Sequence, residues 1–272
     1  MSHSIPLEDK ATDILGKALR GLRLTNSELA QRSGVTEQAV VNLREGTFHP
    51  ADARAVAPVL GLGAEALVAS GLEQWYPHPV EVAGLVCFNT AFEDMTVNSY
   101  LVYDAAARKA VAFDTGSDCS DLLATLASRD LQLDLILLTH SHGDHIFDLD
   151  RLKEKTGASA WIGSREPVDG ARGFEAGREF HCGALRIESR LTWGHSAGGI
   201  TYVVHGLARP VAVVGDAVFA GSMGGGGVSY SDALATNRGQ ILTLPVSTVL
   251  CPGHGPLTTV GEEKAHNPFF AV

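Results

Sequence analysis

The spacing of apolar residues divides the chain into two unlike parts. Up to about residue 70 they recur at helical intervals, as in Ile14, Leu15, Ala18, Leu19 and Leu22. A polar start, Thr25-Asn26-Ser27-Glu28, leads a second helix that Gly34 ends, and Thr36 can cap a third running through Val40 to Arg44. A fourth helix is expected to hold Ala53, Val56, Val59 and Leu60, with Pro58 disturbing it. A short fifth covers about residues 64–69. Trp75-Tyr76-Pro77-His78-Pro79 reads as a linker, because two prolines discourage regular structure.

Beyond the linker the pattern changes to strands. Residues 99–103 and 109–113 flank Asp104-Ala105-Ala106 as a hairpin. Residues 121–128 predict a helix, 133–138 a buried strand, 148–155 a helix, and Trp161-Ile162 the centre of a short strand. Apolar runs at 200–204, 210–214 and 248–251 predict further strands. This alternation is that of an α/β domain. The expected organisation is a small all-α domain over residues 1–74 and an α/β domain over residues 75–272.

Composition narrows the setting. The chain is 45% hydrophobic and has no run of about 18 apolar residues, so no membrane span is expected. Met1 to Lys10 are polar and lack an apolar core, so no secretory signal is expected either. Cys87, Cys119, Cys182 and Cys251 are scattered without a C-x-x-C pair, which suits free thiols in a reducing cytoplasm. A net charge of −10 argues against a general nucleic-acid binder.

The chemistry concentrates after the strand at 133–138. His140, His142, Asp144 and His145 lie within six residues, and Gly143 gives the backbone freedom to turn there. Four such groups at one strand end have little use in packing, whereas imidazole and carboxylate together suit zinc, iron or manganese. His195 in Gly194-His195-Ser196, Asp216 after Gly215, and His254 in Pro252-Gly253-His254-Gly255 repeat the arrangement. Side chains at strand ends of an α/β sheet gather at one place. The set suffices for two adjacent metal ions. His3, His49, His78, His181, His205 and His266 lie in tails, linkers or isolated positions and are read as ordinary residues.

In order, these motifs resemble the metal motifs of the metallo-β-lactamase superfamily, and Phe113-Asp114-Thr115-Gly116 resembles its early Asp-x-Gly turn. The resemblance covers about residues 80–270. It implies an αβ/βα sandwich with the site at one edge. It also implies that His140, His142 and His195 hold one metal, that Asp144, His145 and His254 hold the second, and that Asp216 bridges them. Residues 215–222, Thr259-Val260-Gly261-Glu262-Glu263 and Asn267-Pro268-Phe269 are similar to the short glyoxalase II-like group. Members hydrolyse thioesters such as hydroxyacylglutathione. A metal-bound hydroxide would attack the thioester carbonyl, with Asp144 holding the second metal and orienting that hydroxide. Two departures bear on substrate: Ala197 stands where a proline is usual, and Gly224–Gly227 carry no arginine, the nearest downstream being Arg238. With the sequence ending at Val272, the helical domain by which long glyoxalase II enzymes grip glutathione is not expected. Sulfur dioxygenases of the superfamily are the alternative, with one iron held like His140, His195 and Asp216. Gly224–Gly227 also suggest a flexible flap, Phe269 and Phe270 a pin for the tail, Cys251 a core residue, and Tyr230 a pocket-lining one.

The segment LTNSELAQRSGVTEQAVVNLREG, from Leu24 to Gly46, resembles a Cro/repressor-type helix-turn-helix. By that likeness Thr36, Gln38, Ala39 and Asn42 would face DNA, and the protein would be a regulator whose metal domain senses a metabolite. Used only for packing, the same helices would offer a homodimer surface. Residues 1–74 hold 7 Lys+Arg against 9 Asp+Glu, a poor electrostatic footprint for phosphates.

Overall fold

The computed structural model describes residues 5–272, so His3 and the first four residues of the polar N-terminus lie outside the described part. Five helices come first: α1 (Ala11–Leu22), α2 (Asn26–Ser33), α3 (Glu37–Arg44), α4 (Pro50–Val56) and α5 (Ala64–Gly71). Their ends follow local chemistry. The Glu28 N–H donates to Thr25 Oγ1 while the Thr25 N–H donates back to the Glu28 carboxylate, a reciprocal cap that starts α2. Thr36 Oγ1 accepts from the Ala39 N–H and starts α3. α4 stops at Val56, short of its apolar spacing, because Pro58 has no N–H to continue the ladder. Val59 and Leu60 fall in the following turn, where Leu60 is still buried.

Two six-stranded sheets follow. In the first, β1 (Leu85–Phe92), β2 (Met95–Asp104) and β3 (Lys109–Phe113) are antiparallel neighbours. α6 (Ser120–Ser128) returns the chain to β4 (Gln132–Leu137), parallel to β3. The one-turn α7 (Gly143–Ile146) and α8 (Leu149–Thr156) then lead to β5 (Ser159–Gly163) and β6 (Arg172–Phe174), both parallel. The second sheet begins with β7 (Glu179–Cys182), β8 (Leu185–Leu191), β9 (Ile200–His205) and β10 (Val211–Gly215), all antiparallel. α9 (Tyr230–Thr236) runs into a π-helical turn (Asn237–Ile241). β11 (Val249–Pro252) pairs parallel with β10, and β12 (Thr258–Thr259) and α10 (Val260–His266) complete the order.

Strand alternation builds the layers. Tyr100, Val102, Val111 and Phe113 of the first sheet meet Tyr202, Val204, Val211 and Val213 of the second in the central core. Their sequence neighbours point the other way. Leu101 and Ala112 pack under Leu122 and Leu126 of α6 and Leu152 of α8. Val203, Ala212 and Val214 belong to a third cluster with Ile14, Leu15, Val56, Leu67, Tyr230 and Phe269. The N-terminal helices therefore share one continuous core with the outer face of the second sheet. Trp75 stacks on His266 at 5.3 Å and the Tyr76 hydroxyl donates to the Ile5 carbonyl, so the prolyl linker is held against both parts. No helix among the described residues is long and apolar enough to cross a membrane.

One buried acid in this scaffold supplies a pH test. Glu263 is fully buried and accepts from Thr258 Oγ1, Asn267 Nδ2 and the Gly221 N–H. Burial raises it to about 8, against the opposing effect of those donors. Because its folded value lies above its unfolded one, the unfolded chain binds fewer protons between about pH 4.5 and 8. Stability should then fall with rising pH across that window by up to about 1.4 kcal/mol per pH unit from this group. Glu263→Gln should flatten that part of a denaturation-versus-pH curve; an unchanged slope would assign it to another group.

Candidate metal centre

The sheets deliver seven side chains to one edge. β4 ends at Leu137, and the chain passes through Thr139 directly into His140; His142 precedes α7, on which Asp144 and His145 lie. His195 follows β8, Asp216 follows β10 and His254 follows β11. His140, His142, His195 and Asp216 each place one ligand atom within 4.8 Å of the others, and Asp144, His145 and His254 do the same. His142 Nδ1 lies 3.0 Å from His140 Nε2 and 3.1 Å from His195 Nε2. Asp144 Oδ2 lies 3.2 Å from His254 Nε2 and 3.4 Å from His145 Nε2. Asp216 reaches both sets: its Oδ2 is 3.3 Å from His195 Nε2 and 3.5 Å from His254 Nε2, and its Oδ1 is 3.3 Å from His145 Nε2.

The outward ring nitrogens are anchored, and this sets the tautomers. His195 Nδ1 lies 3.0 Å from the Gly225 carbonyl and His254 Nδ1 lies 2.7 Å from the Thr96 carbonyl. A carbonyl only accepts, so both Nδ1 atoms carry hydrogen and both Nε2 atoms face the cluster. His145 Nδ1 lies 2.8 Å from Asp114 Oδ2. Thr139 Oγ1 also lies 2.8 Å from Asp114 Oδ2, and it stands 3.0 Å from His140 Nδ1. Asp114 thus fixes His145 directly and His140 through Thr139. It holds a left-handed φ of 56°, and the Thr139 N–H donates to its Oδ1 at 2.7 Å. In the sequence Asp114 shows only as part of a turn; an acid between a buried strand and a glycine is the signal of this role. Gly253 is required for the approach, since a Cβ there would lie 2.1 Å from Asp216 Oδ1 and 2.5 Å from His145 Cε1.

Electrostatics divide the imidazoles. Burial holds His140 well below the ordinary histidine value and lowers His195 as well. At His145 burial acts in the same direction, but Asp216 and Asp114 carry it up to about 10. His254 rises to about 11 through Asp144 and Asp216, again against burial. Burial pushes Asp216 up, yet His145 and His254 outweigh it and keep the carboxylate well below its usual range. Asp144 is lowered too, where His254 and His145 overcome its desolvation. His145 Nε2 and Asp216 Oδ1 are buried with no hydrogen-bond partner, an expensive condition that a cation between them would relieve. The donor set fits divalent ions.

A cleft of about 630 Å³ opens on His142 and His195. Its other walls are Gly225–Val228 and, from α1, Lys17, Arg20 and Gly21. Nothing in the sequence points to a residue of the N-terminal helices at the site. Tyr230, expected to line the pocket, instead packs in the third core cluster, where Gly21 must lack a Cβ because one would lie 2.2 Å from its ring. Arg238 donates to the Phe269 carbonyl at 3.0 Å and so ties down the tail. Phe269 and Cys251 are buried core residues, and all four cysteines are free.

Thr36, Gln38, Ala39 and Asn42 line a shallow open face together with His49 and Asp52. Thr36 is occupied as a cap, and Gln38 Nε2 donates to Asn42 Oδ1 at 3.0 Å. No lysine or arginine is among the described residues lining this hollow; the exposed arginines of α2 and α3 are Arg32 and Arg44, and Arg44 donates to Asn26 Oδ1 at 2.9 Å.

Comparison with known proteins agrees with the geometry. The pattern of the metallo-beta-lactamase superfamily matches residues 92–254. A probable metallo-hydrolase of Streptococcus pyogenes, M6_Spy0554, is 30% identical over 63% of this chain and 84% of its own. Hydroxyacylglutathione hydrolase GloC of Haemophilus influenzae is 28% identical over 66% of this chain and 94% of its own. Among solved structures, ETHE1 from Myxococcus xanthus is 27% identical with a TM-score of 0.61, covering 68% of this chain and 84% of that one. With its two sheets, its edge cluster of histidines and aspartates, and a family match over more than half of its length, the chain belongs to the metallo-beta-lactamase superfamily.

Proposed function

We propose that this metallo-hydrolase cleaves thioesters, using two divalent ions, with zinc the preferred one. The carrying observation is the pair of adjacent ligand sets that Asp216 reaches from both sides. His140, His142 and His195 would hold one ion, Asp144, His145 and His254 the other, with Asp216 shared. Bound there, the ions would supply an activated water near neutral pH and polarise the carbonyl. The chain's own groups do the rest. Asp114, Thr139 and the carbonyls of Thr96 and Gly225 lock the rings with their free nitrogens inward. His145 and His254 hold protons that a metal must displace, so uptake releases protons and tightens as pH rises. Asp144 is kept ionised and faces the same space, suited to accept a hydrogen bond from the attacking water. A thiolate leaves without a strong acid, which fits a site built from ligands. The likeness to a hydroxyacylglutathione hydrolase supports the same reading.

A second reading rests on His140, His195 and Asp216 lying together in one set, which suits a single iron in a sulfur dioxygenase. One experiment separates the two: metal content of the purified protein, measured alongside a thioester panel and oxygen uptake. Two ions per chain and thioester turnover without oxygen consumption are expected. One iron with oxygen consumed on a persulfide would replace the hydrolase. His142→Ala should remove metal and turnover together, and retained activity would refute the site.

A further inference from the structure

We infer that α1 supplies an anion-binding subsite to the cleft, with Arg20 gripping a carboxylate or phosphate oxygen on the thiol portion of the substrate. The inference rests on the thioester reading for the identity of that substrate, and on the cleft alone for the subsite.

The cleft that exposes His142 and His195 is also lined by Lys17 and Arg20. The two cations are differently placed. Lys17 is mostly buried, ion-paired with Asp9, and donates to the Met223 carbonyl at 2.9 Å. Its charge is already answered. Arg20 is exposed, and its guanidinium forms no ion pair or hydrogen bond with any described residue. The residues three and four positions away along the chain are Gly16, Lys17, Arg23 and Leu24, none of them acidic.

Two helix glycines make the arrangement. A Cβ on Gly16 would stand 3.0 Å from Arg20 Nη1, so the missing side chain leaves room for the guanidinium to lie along the helix. Gly21 lets α1 press onto the Tyr230 ring, which brings this end of the helix beside the glycine loop at Gly225–Val228. Glycine within a helix costs about 0.5–1 kcal/mol relative to alanine. Both positions are explained here by what the missing side chain admits. The loop offers no cation of its own, so α1 is the source of positive charge on that wall. A planar guanidinium matches the two oxygens of a carboxylate or phosphate. A thioester with its acyl carbon at the metal centre would extend its thiol portion along the cleft toward that fork.

Metal-loaded protein and its Arg20→Ala variant would be titrated with three non-hydrolysable thioethers. These are a glutathione thioether with free carboxylates, the same compound with both carboxylates esterified, and a coenzyme A thioether. Thioester turnover is recorded in parallel, and a thermal melt checks folding. The wild type should prefer a free-acid or phosphate compound to the ester. Arg20→Ala should weaken the anionic compound roughly tenfold and leave the ester unchanged, as for a lost charge-assisted hydrogen bond. Loss confined to the glutathione acid names a carboxylate; loss confined to the coenzyme A compound names a phosphate. Equal weakening of all three, or no weakening, overturns the subsite. Charge discrimination lost with Arg20 but with no thioester turned over would sink the hydrolase reading and keep the subsite. Turnover without discrimination would do the reverse.

Discussion

Asp216→Asn is expected to strip the protein of metal and to lower thioester turnover by more than about 100-fold. Changes to groups that merely orient a metal ligand cost about 10–100-fold, and Asp216 itself faces His145, His195 and His254 at 3.3–3.5 Å. The asparagine keeps the shape and removes the charge. Metal-free protein should also lose stability, because this carboxylate helps both His145, beside Asp114, and His254, beside Asp144, to hold their protons. The sign follows from their raised values. That stability is full below about pH 6.5 and is lost as pH rises through about 10. On the acid side it fails as Asp216 itself takes up a proton. The variant should therefore flatten both limbs of the metal-free stability curve. Metal analysis after dialysis, turnover and pH-dependent melts check this. A variant that retains both ions and most of its activity would show that Asp216 is no shared ligand.

Removing residues 1–74 is expected to yield an aggregating or molten fragment rather than a smaller working enzyme. The cut would bare Val203, Ala212, Val214, Met223, Tyr230 and Phe269, which now share a core with Ile14, Leu15, Val56 and Leu67. Burial of a Leu- or Phe-sized side chain contributes about 1.5–3 kcal/mol, so uncovering several is comparable to the roughly 5–15 kcal/mol by which a domain is stable. The cut would also remove Lys17 and Arg20 from the cleft. Solubility, dye binding to exposed apolar surface and the cooperativity of melting are the measurements. A soluble, cooperatively melting fragment of residues 75–272 would mean that the helices are an appendage.

Some of this was legible along the chain. Thr25, Glu28 and Thr36 mark helix starts through bonds that span only three residues. The hairpin over β2 and β3, and the strands β4, β9, β10 and β11, show themselves as apolar runs between turns. β8 escaped notice because Arg186, Glu188 and Arg190 interrupt its alternating Leu185, Ile187 and Leu191. β1 is half-exposed and lacks a clean period. α9 and its π-helical turn carry too few apolar positions to register as a stripe. At the site, His140 to His145 stood out as a local density of ligand types. His195, Asp216 and His254 shared a glycine-bearing neighbourhood near strand ends, which put them with the cluster, and only the family resemblance divided the set between two ions. Asp114 looked like a turn residue until its oxygens were found on His145 and Thr139.

By itself the sequence determined what acts over a few residues: where helices begin and stop, which strand faces are apolar, and that metal-ligand chemistry is packed behind β4. Only the tertiary structure decided which surfaces meet. Alternation shows that Ala212 and Val214 need cover but not that α1 and α5 help to provide it. Nor does spacing reveal that Arg20, more than a hundred residues before His142, shares a cleft with it. The physical reason is range. Hydrogen bonds of caps and turns are local, while the burial that joins distant segments is non-directional and is settled by the packing of the whole chain.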